Sequence, residues 1–146
     1  MNYETEGTEI ERATGLVNEF LSKTFQGGFL VKVDRYPFKL RVAIKINQNY
    51  IAGFTLVEQT NCCGILVSTQ TFVIPEYALQ GIAQQMMPLK EALAREFGYT
   101  MLLATVNVSG NPAEVHILEK FRWTRGTEFV NKRTGNTVAI FTKILT

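Results

Sequence analysis

The sequence predicts one α+β sheet domain. Two observations carry this. A strand pattern at Gly64–Ile74, a helical pattern at Leu79–Phe97 and a second strand pattern at Thr100–Asn107 follow one another as a βαβ unit. Alternating apolar segments joined by short turns flank that unit as hairpins on either side. The 146 residues suffice for one domain with its own core, and 46% apolar against 19% charged residues is an ordinary globular balance.

The first seven residues are polar and rich in glutamate and are expected to be loose. Thr8 followed by Glu11 is a capping-box pattern. Ile10, Ala13, Val17, Phe20, Leu21 and Phe25 then recur at helical spacing until Gly27-Gly28. Gly15 weakens that helix by about 1 kcal/mol relative to alanine. The segment at 29–38 fits either a short strand or a second helix, and Pro37 closes it. Leu40, Val42, Ile44 and Ile46 alternate with Arg41, Ala43 and Lys45 as a half-buried strand. Asn47-Gln48-Asn49 is a turn, and Tyr50–Gln59 is the returning strand, with Gly53 a candidate bulge or close approach. Thr60–Cys63 is a further turn.

The run FVIPEYALQGIA, Phe72–Ala83, joins strand to helix. A helix N-terminus in such a place offers free amides and the positive end of a dipole, which suits a phosphate. Ile82, Met86, Leu89, Leu93 and Phe97 form the buried stripe of the helix, Gly98 ends it, and Pro88 should kink or bend it. The strands on either side should be parallel. Asn111, Pro112 and Glu114 are concordant start signals for a helix over Pro112–Phe121. Trp123–Val130 and Thr137–Ile144 form a closing hairpin around Asn131–Asn136.

Two of these stretches resemble the GCN5-related N-acetyltransferase (GNAT) family. VIPEYALQGIAQQM is similar to that family's coenzyme A loop, and VNVSGNPAEVHILEKFRW is similar to its Asn-Pro-Ala helix. The resemblance runs from about Leu40 to Leu145, in order and at the family's spacing. It implies an acyl-CoA N-acyltransferase fold, a mixed and mostly antiparallel sheet with helices on both faces. It also implies acetyl-CoA as cosubstrate without a metal, and an amine acceptor whose identity stays open. Backbone groups of Phe72, Val73 and Ile74 would bind the pantetheine arm. Amides of Leu79, Gln80, Gly81, Ile82 and Ala83 would bind the pyrophosphate, and Asn111 would touch the arm.

The sequence departs from the family at identifiable positions. Ala78 stands where Arg or Gln is usual, and Leu79 where glycine is frequent. Leu118 replaces the tyrosine that often protonates the leaving thiolate, and Arg122-Trp123 replaces Gly-Phe. The central strand carries Ser68, Thr69, Gln70 and Thr71 but no acid, so Glu58 or a hydroxyl relay through Thr71 remain as catalytic candidates. Glu76 is the other nearby carboxylate. A second reading is therefore a fold kept as a binding or structural protein without catalysis.

The remaining candidates read as structural. His116 suits a surface or packed position on its helix better than a base. Met86 and Met87 suit the core, Tyr77 is a packing aromatic, and Trp123 either packs or lines a cleft. Cys62 and Cys63 are adjacent, a poor geometry for a disulfide, which suits a reducing compartment. No signal-peptide pattern or long apolar run is evident, so the expectation is a cytoplasmic protein without membrane contact.

Charge is uneven. Residues 1–19 hold Glu4, Glu6, Glu9, Glu11 and Glu19 against Arg12, and residues 120–143 hold Lys120, Arg122, Arg125, Lys132, Arg133 and Lys143 against Glu128. A basic hairpin is the sole motive for nucleic acid, and a solvated face explains it better. Exposed hairpin edges leave a homodimer open.

Overall fold

The computed structural model describes residues 3–23, 28–59, 64–78 and 81–146, with side chains from residue 7 onward. Its elements are α1 (Tyr3–Leu21), β1 (Leu30–Tyr36), β2 (Lys39–Ile46), β3 (Asn49–Glu58), β4 (Ile65–Val73), a 3-10 turn (Pro75–Tyr77), α2 (Ile82–Glu96), β5 (Met101–Asn107), α3 (Pro112–Lys120), β6 (Thr124–Val130) and β7 (Thr137–Ile144). The strands form one sheet in the order β1-β2-β3-β4-β5-β7-β6. Among the described strands only the β4–β5 pair is parallel. The expected βαβ unit is present, and the sheet is mixed and mostly antiparallel.

Two expectations at the N-terminal end need correction. Residues 3–7 are helical rather than loose, and Thr8 lies inside α1. Each further residue on an existing helix adds a hydrogen bond without a new nucleus, so the helix extends past a capping signal. Its other end comes at Leu21, followed by a turn over Ser22 and Lys23, short of the expected Phe25. Phe25 and Gly27 lie outside the described residues, as do the turn Thr60–Cys63 and both cysteines. The ambiguous segment after Gly28 is a strand, because Leu30–Tyr36 pairs residue by residue with Lys39–Lys45 of β2.

The turns show why the hairpins close where they do. Asn47 and Gln48 both take left-handed φ values, 49° and 72°. That is the twist a two-residue hairpin turn needs, and asparagine tolerates it well. Gly53 is a point of close approach, as expected. A Cβ there would lie 2.6 Å from the Val42 carbonyl oxygen and 2.9 Å from the Phe72 ring.

The core joins α1 and α2 to one side of the strands. Val17 and Leu21 of α1 and Ile82, Met86, Leu89 and Leu93 of α2 are fully buried with Ile44, Phe54, Leu56, Leu102 and Phe141. Phe97, at the end of the expected stripe, is only partly buried. Helix α2 runs unbroken through Pro88 and stops at Gly98, whose φ is 83°. Ion pairs fasten α1 to its surroundings: Arg12 to Glu96 of α2 at 3.0 Å, and Glu9 to Arg35 of β1 at 2.9 Å. Helix α3 lies against α2, with Lys120 donating to Gln84 at 2.8 Å. No described helix is long and apolar enough to cross a membrane.

Candidate active site

The parallel strands β4 and β5 pair at Ile65↔Met101, Leu66↔Leu102 and Val67↔Leu103, and nowhere beyond. From Ser68 onward β4 keeps only β3 as neighbour, and from Ala104 onward β5 keeps only β7. The sheet therefore splits into a wedge. A bulge in β4 drives the strands apart. Gly53 pairs with Phe72 and Thr55 with Thr69, so two steps along β3 match three along β4. The extra residue is absorbed at Gln70, whose φ is 53°.

The wedge is a cavity of about 210 Å³ lined by Val67, Ser68, Thr69, Gln70, Thr71, Thr105 and Glu114. Strand alternation opens backbone groups into it. The Ile74 amide bonds the Ile51 carbonyl at 2.8 Å, so the groups of Val73 face the open side. Beyond the wide end, the chain turns through Pro75–Tyr77 and enters α2 at Gly81. Gly81 has φ 76°, and a Cβ there would meet nothing within 4 Å. The backbone angle, not space, favours glycine at this point. The first amides of α2, on Ile82, Ala83 and Gln84, have no carbonyl inside the helix to bond.

A buried cation lies under the wedge. Lys90 of α2 is 2% exposed, and its Nζ donates to Thr71 Oγ1 at 2.7 Å. The Phe54 ring lies 5.2 Å from the same nitrogen. Burial lowers the Lys90 ammonium to about 8, although the Glu114 charge holds it up. Burial in turn raises the Glu114 carboxyl, against the pull of Lys90. Thr71 is exposed to the wedge, so its hydroxyl connects the buried amine with the cavity. This connection can carry a proton.

Lys90 was not legible as a site residue from motifs, but one signal was available. It falls four residues after Met86 and three before Leu93, so it puts a charge inside the apolar stripe of α2. Glu114, read from the sequence as a capping residue, does cap. Its amide donates to Asn111 Oδ1 at 3.2 Å. Its carboxylate accepts from Asn111 Nδ2 at 2.9 Å. Both ends of the Asn111 side chain are thus engaged within α3.

The other expected site residues divide clearly. Thr71, Val73, Gly81, Ile82 and Ala83 lie along or beyond the wedge, though Ile82 is fully buried and offers only its backbone. Ile74 is partly buried against the core. Phe72 turns its ring to the opposite side of the sheet, over Gly53. Leu79 and Gln80 lie outside the described residues. Glu58 is not brought to the wedge. It pairs with Leu66, at the closed end of β4, and lines a separate small cavity with Tyr99. Burial, followed by a hydrogen bond to Glu58, pushes the Tyr99 phenol up to about 12. Glu76 and His116 are exposed. Leu118 and Trp123 are 1% and 4% exposed, so Trp123 packs in the core and lines no cleft.

Strand order, wedge and bulge can be compared with solved structures. The sequence matches no protein-family model and no curated protein. The spermidine N-acetyltransferase of Vibrio cholerae, in a complex with CoA and spermine, superposes with a TM-score of 0.62 at 19% identity, over 74% of this chain and 66% of that one. The ribosomal-protein-S18-alanine N-acetyltransferase of Escherichia coli gives 0.65 at 14% identity, over 77% and 72%. A protein of Desulfovibrio desulfuricans, described as a GNAT acetyltransferase, gives 0.66 at 13% identity, over 90% and 78%. The fold is that of the GNAT acetyltransferases. Within a GNAT fold, Leu118 is notable because the residue at the expected tyrosine position points into the core. Two of the cations on the β6–β7 hairpin are paired within the protein. Arg125 pairs with Glu128, and Lys143 with Glu91 and the Phe121 carbonyl. Among the described residues no group of acids, histidines or cysteines could hold a metal ion.

Proposed function

We propose that this chain is an N-acetyltransferase that takes an acetyl group from acetyl-CoA to a primary amine. The observation that carries this reading is the wedge, split open by the Gln70 bulge, with the first amides of α2 beyond its wide end. The site fits the cosubstrate. Val73 offers backbone partners to an extended arm, small hydroxyl residues line the cavity, and the amides of Gly81, Ile82 and Ala83 offer donors to a pyrophosphate. When bound, acetyl-CoA supplies a thioester, so a carbon–nitrogen bond forms as the carbon–sulfur bond breaks and a thiol is released.

The chain's own residues then position and deprotonate. Neutral Lys90 accepts the proton of the incoming amine through the Thr71 hydroxyl, and Lys90 in its ammonium form returns a proton by the same path to the departing sulfur. Glu114, beside them, stabilises the ammonium form. The acceptor remains open, and the polyamine of the Vibrio cholerae enzyme belongs in any panel of amines.

The absence of an acid on β4 favours a second reading, a GNAT fold that binds coenzyme A without transfer. Calorimetry with acetyl-CoA and a thiol-release assay across amines separate the two. Ligand at 100 times its dissociation constant should add about 2.7 kcal/mol of stability. No binding at millimolar acetyl-CoA ends both readings, and binding without release of thiol supports the second.

A further inference from the structure

The other side of the sheet carries a second, larger hollow, and it touches the wedge. This open hollow of about 480 Å³ is lined by Lys32, Asp34, Arg41, Tyr50, Gln70 and Phe72, over a floor that includes Val42, Ala43, Phe54 and Thr55. Strand pairing explains its shape. One row across the sheet reads Lys32↔Ala43↔Gly53↔Phe72, and the next reads Asp34↔Arg41↔Thr55↔Thr69. Paired residues share a face. Ala43 and Gly53, side by side in the middle of the first row, leave the floor low. Phe72 folds its ring over Gly53 to wall one end. Lys32, Asp34 and Arg41 stand at the other end.

Gln70 lines both this hollow and the wedge. Its side-chain oxygen accepts from Thr55 Oγ1 at 3.1 Å, which ties the bulge to the second row. Among the described residues, Lys32, Asp34 and Arg41 make no ion pair and no side-chain hydrogen bond, and Arg41 only faces the Tyr36 ring at 5.8 Å. Lys45 adds a cation 5.2 Å from the Tyr50 ring. The charged end thus carries two lining cations against one carboxylate, and the wall toward the wedge is aromatic.

We infer that this hollow binds the acceptor, and that the acceptor is a primary arylalkylamine bearing an acidic group. Its anion sits on Arg41 and Lys32, its ring lies against Phe72 and Tyr50, and its amine reaches Gln70 at the wedge. Arg41 and Gln70 stand two strands apart, which is about 10 Å. That span suits an acceptor whose amine and anion lie at opposite ends of a ring. Diamines do not suit it, because Arg41 and Lys32 repel a second ammonium. Asp34 pairs with Arg41 across β1 and β2 and lines the same end of the hollow, without an ion pair between them.

The inference rests on the transferase reading, so the test measures the two separately. The probe is 4-(aminomethyl)benzoate, titrated by calorimetry into the full chain. Benzylamine and 1,4-diaminobutane serve as comparators, and acetyl-CoA is titrated alone. Expected is binding of the probe at least roughly ten-fold tighter than either comparator, since a hydrogen-bonded charge contributes on that scale. Arg41→Gln should remove the preference, and Ala43→Leu should fill the hollow and weaken probe and benzylamine alike, with acetyl-CoA affinity unchanged in both. Arg41 is exposed, so its variant should fold. Probe binding no tighter than benzylamine, or a preference that survives Arg41→Gln, overturns the inference even where acetyl-CoA binds. A protein that is dimeric in solution and made monomeric by Arg41→Glu also overturns it, because the face is then a subunit contact. Probe binding without any acetyl-CoA binding leaves the hollow in place and overturns the transferase reading instead.

Discussion

Lys90 Nζ and Thr71 Oγ1 lie 2.7 Å apart, and they join the buried interior of α2 to the open wedge between β4 and β5. A lysine removed from water gives up hydration that one hydroxyl and one aromatic face do not replace. Its lowered titration point near 8 follows from that burial.

Stability should therefore depend on this residue in an alkaline window. Folded Lys90 titrates near 8 and unfolded lysine near 10.5, so the unfolded chain holds more protons between them. Stability should rise as pH climbs from about 8 to 10.5, and the penalty should be fully present below 8, at about 3 kcal/mol. Lys90→Met should stabilise the protein at pH 7 by about 1–3 kcal/mol and flatten the rise. Urea unfolding at pH 7 and pH 9.5 decides, and a variant less stable at both values counts against the burial penalty.

Transfer should follow the same group and in the same direction with pH. With neutral Lys90 as proton acceptor, kcat/KM should increase with pH to a plateau above about 8. Thr71→Val keeps the shape of the side chain and removes the relay, so it should lower kcat about 100-fold with little change in acetyl-CoA affinity. A pH profile unaltered by Lys90→Met would mean that the proton leaves by another route.

The glycines should separate by cause. Gly53→Ala forces a methyl to within 2.6 Å of the Val42 carbonyl oxygen, between two paired strands. It should cost about 1–3 kcal/mol, as overpacking does. Gly81→Ala meets no atom within 4 Å and carries only the left-handed φ, about 1–2 kcal/mol. Gly81→Glu should add charge repulsion and abolish acetyl-CoA binding with stability close to that of Gly81→Ala. Thermal melts with and without ligand distinguish these outcomes.

Restoring the family's tyrosine should not restore an acid. Leu118 is 1% exposed. Leu118→Tyr would bury a phenol in a packed core, lower stability by about 1–3 kcal/mol and leave the thiol-release rate no higher. A higher rate would show that the side chain reaches the wedge.

Much of this architecture was legible in the sequence because it rests on local patterns. The βαβ order, the Asn47-Gln48 turn, the Asn111 cap and the close approach at Gly53 each follow from residue type and spacing. The wedge did not, because its cause is a mismatch between two strands: the extra residue at Gln70 exists only relative to Gly53 and Thr55. Lys90 escaped for a related reason. Its meaning depends on Thr71, nineteen positions earlier in the chain, coming to lie above it. Glu58 shows the converse. It is near β4 in sequence but pairs at the closed end, where proximity along the chain says nothing about which end of a strand opens.

The three-residue parallel contact between β4 and β5 has a mechanical consequence. It makes the sheet two plates, β1 to β4 and β5 to β6, joined by a narrow seam and strapped by α2. A thioester arm lying in the gap becomes a missing rung between the plates. Bound ligand should then slow amide hydrogen exchange across Leu66 and Leu102 as well as along Val73, and the protein should stiffen as a whole rather than only where it is touched.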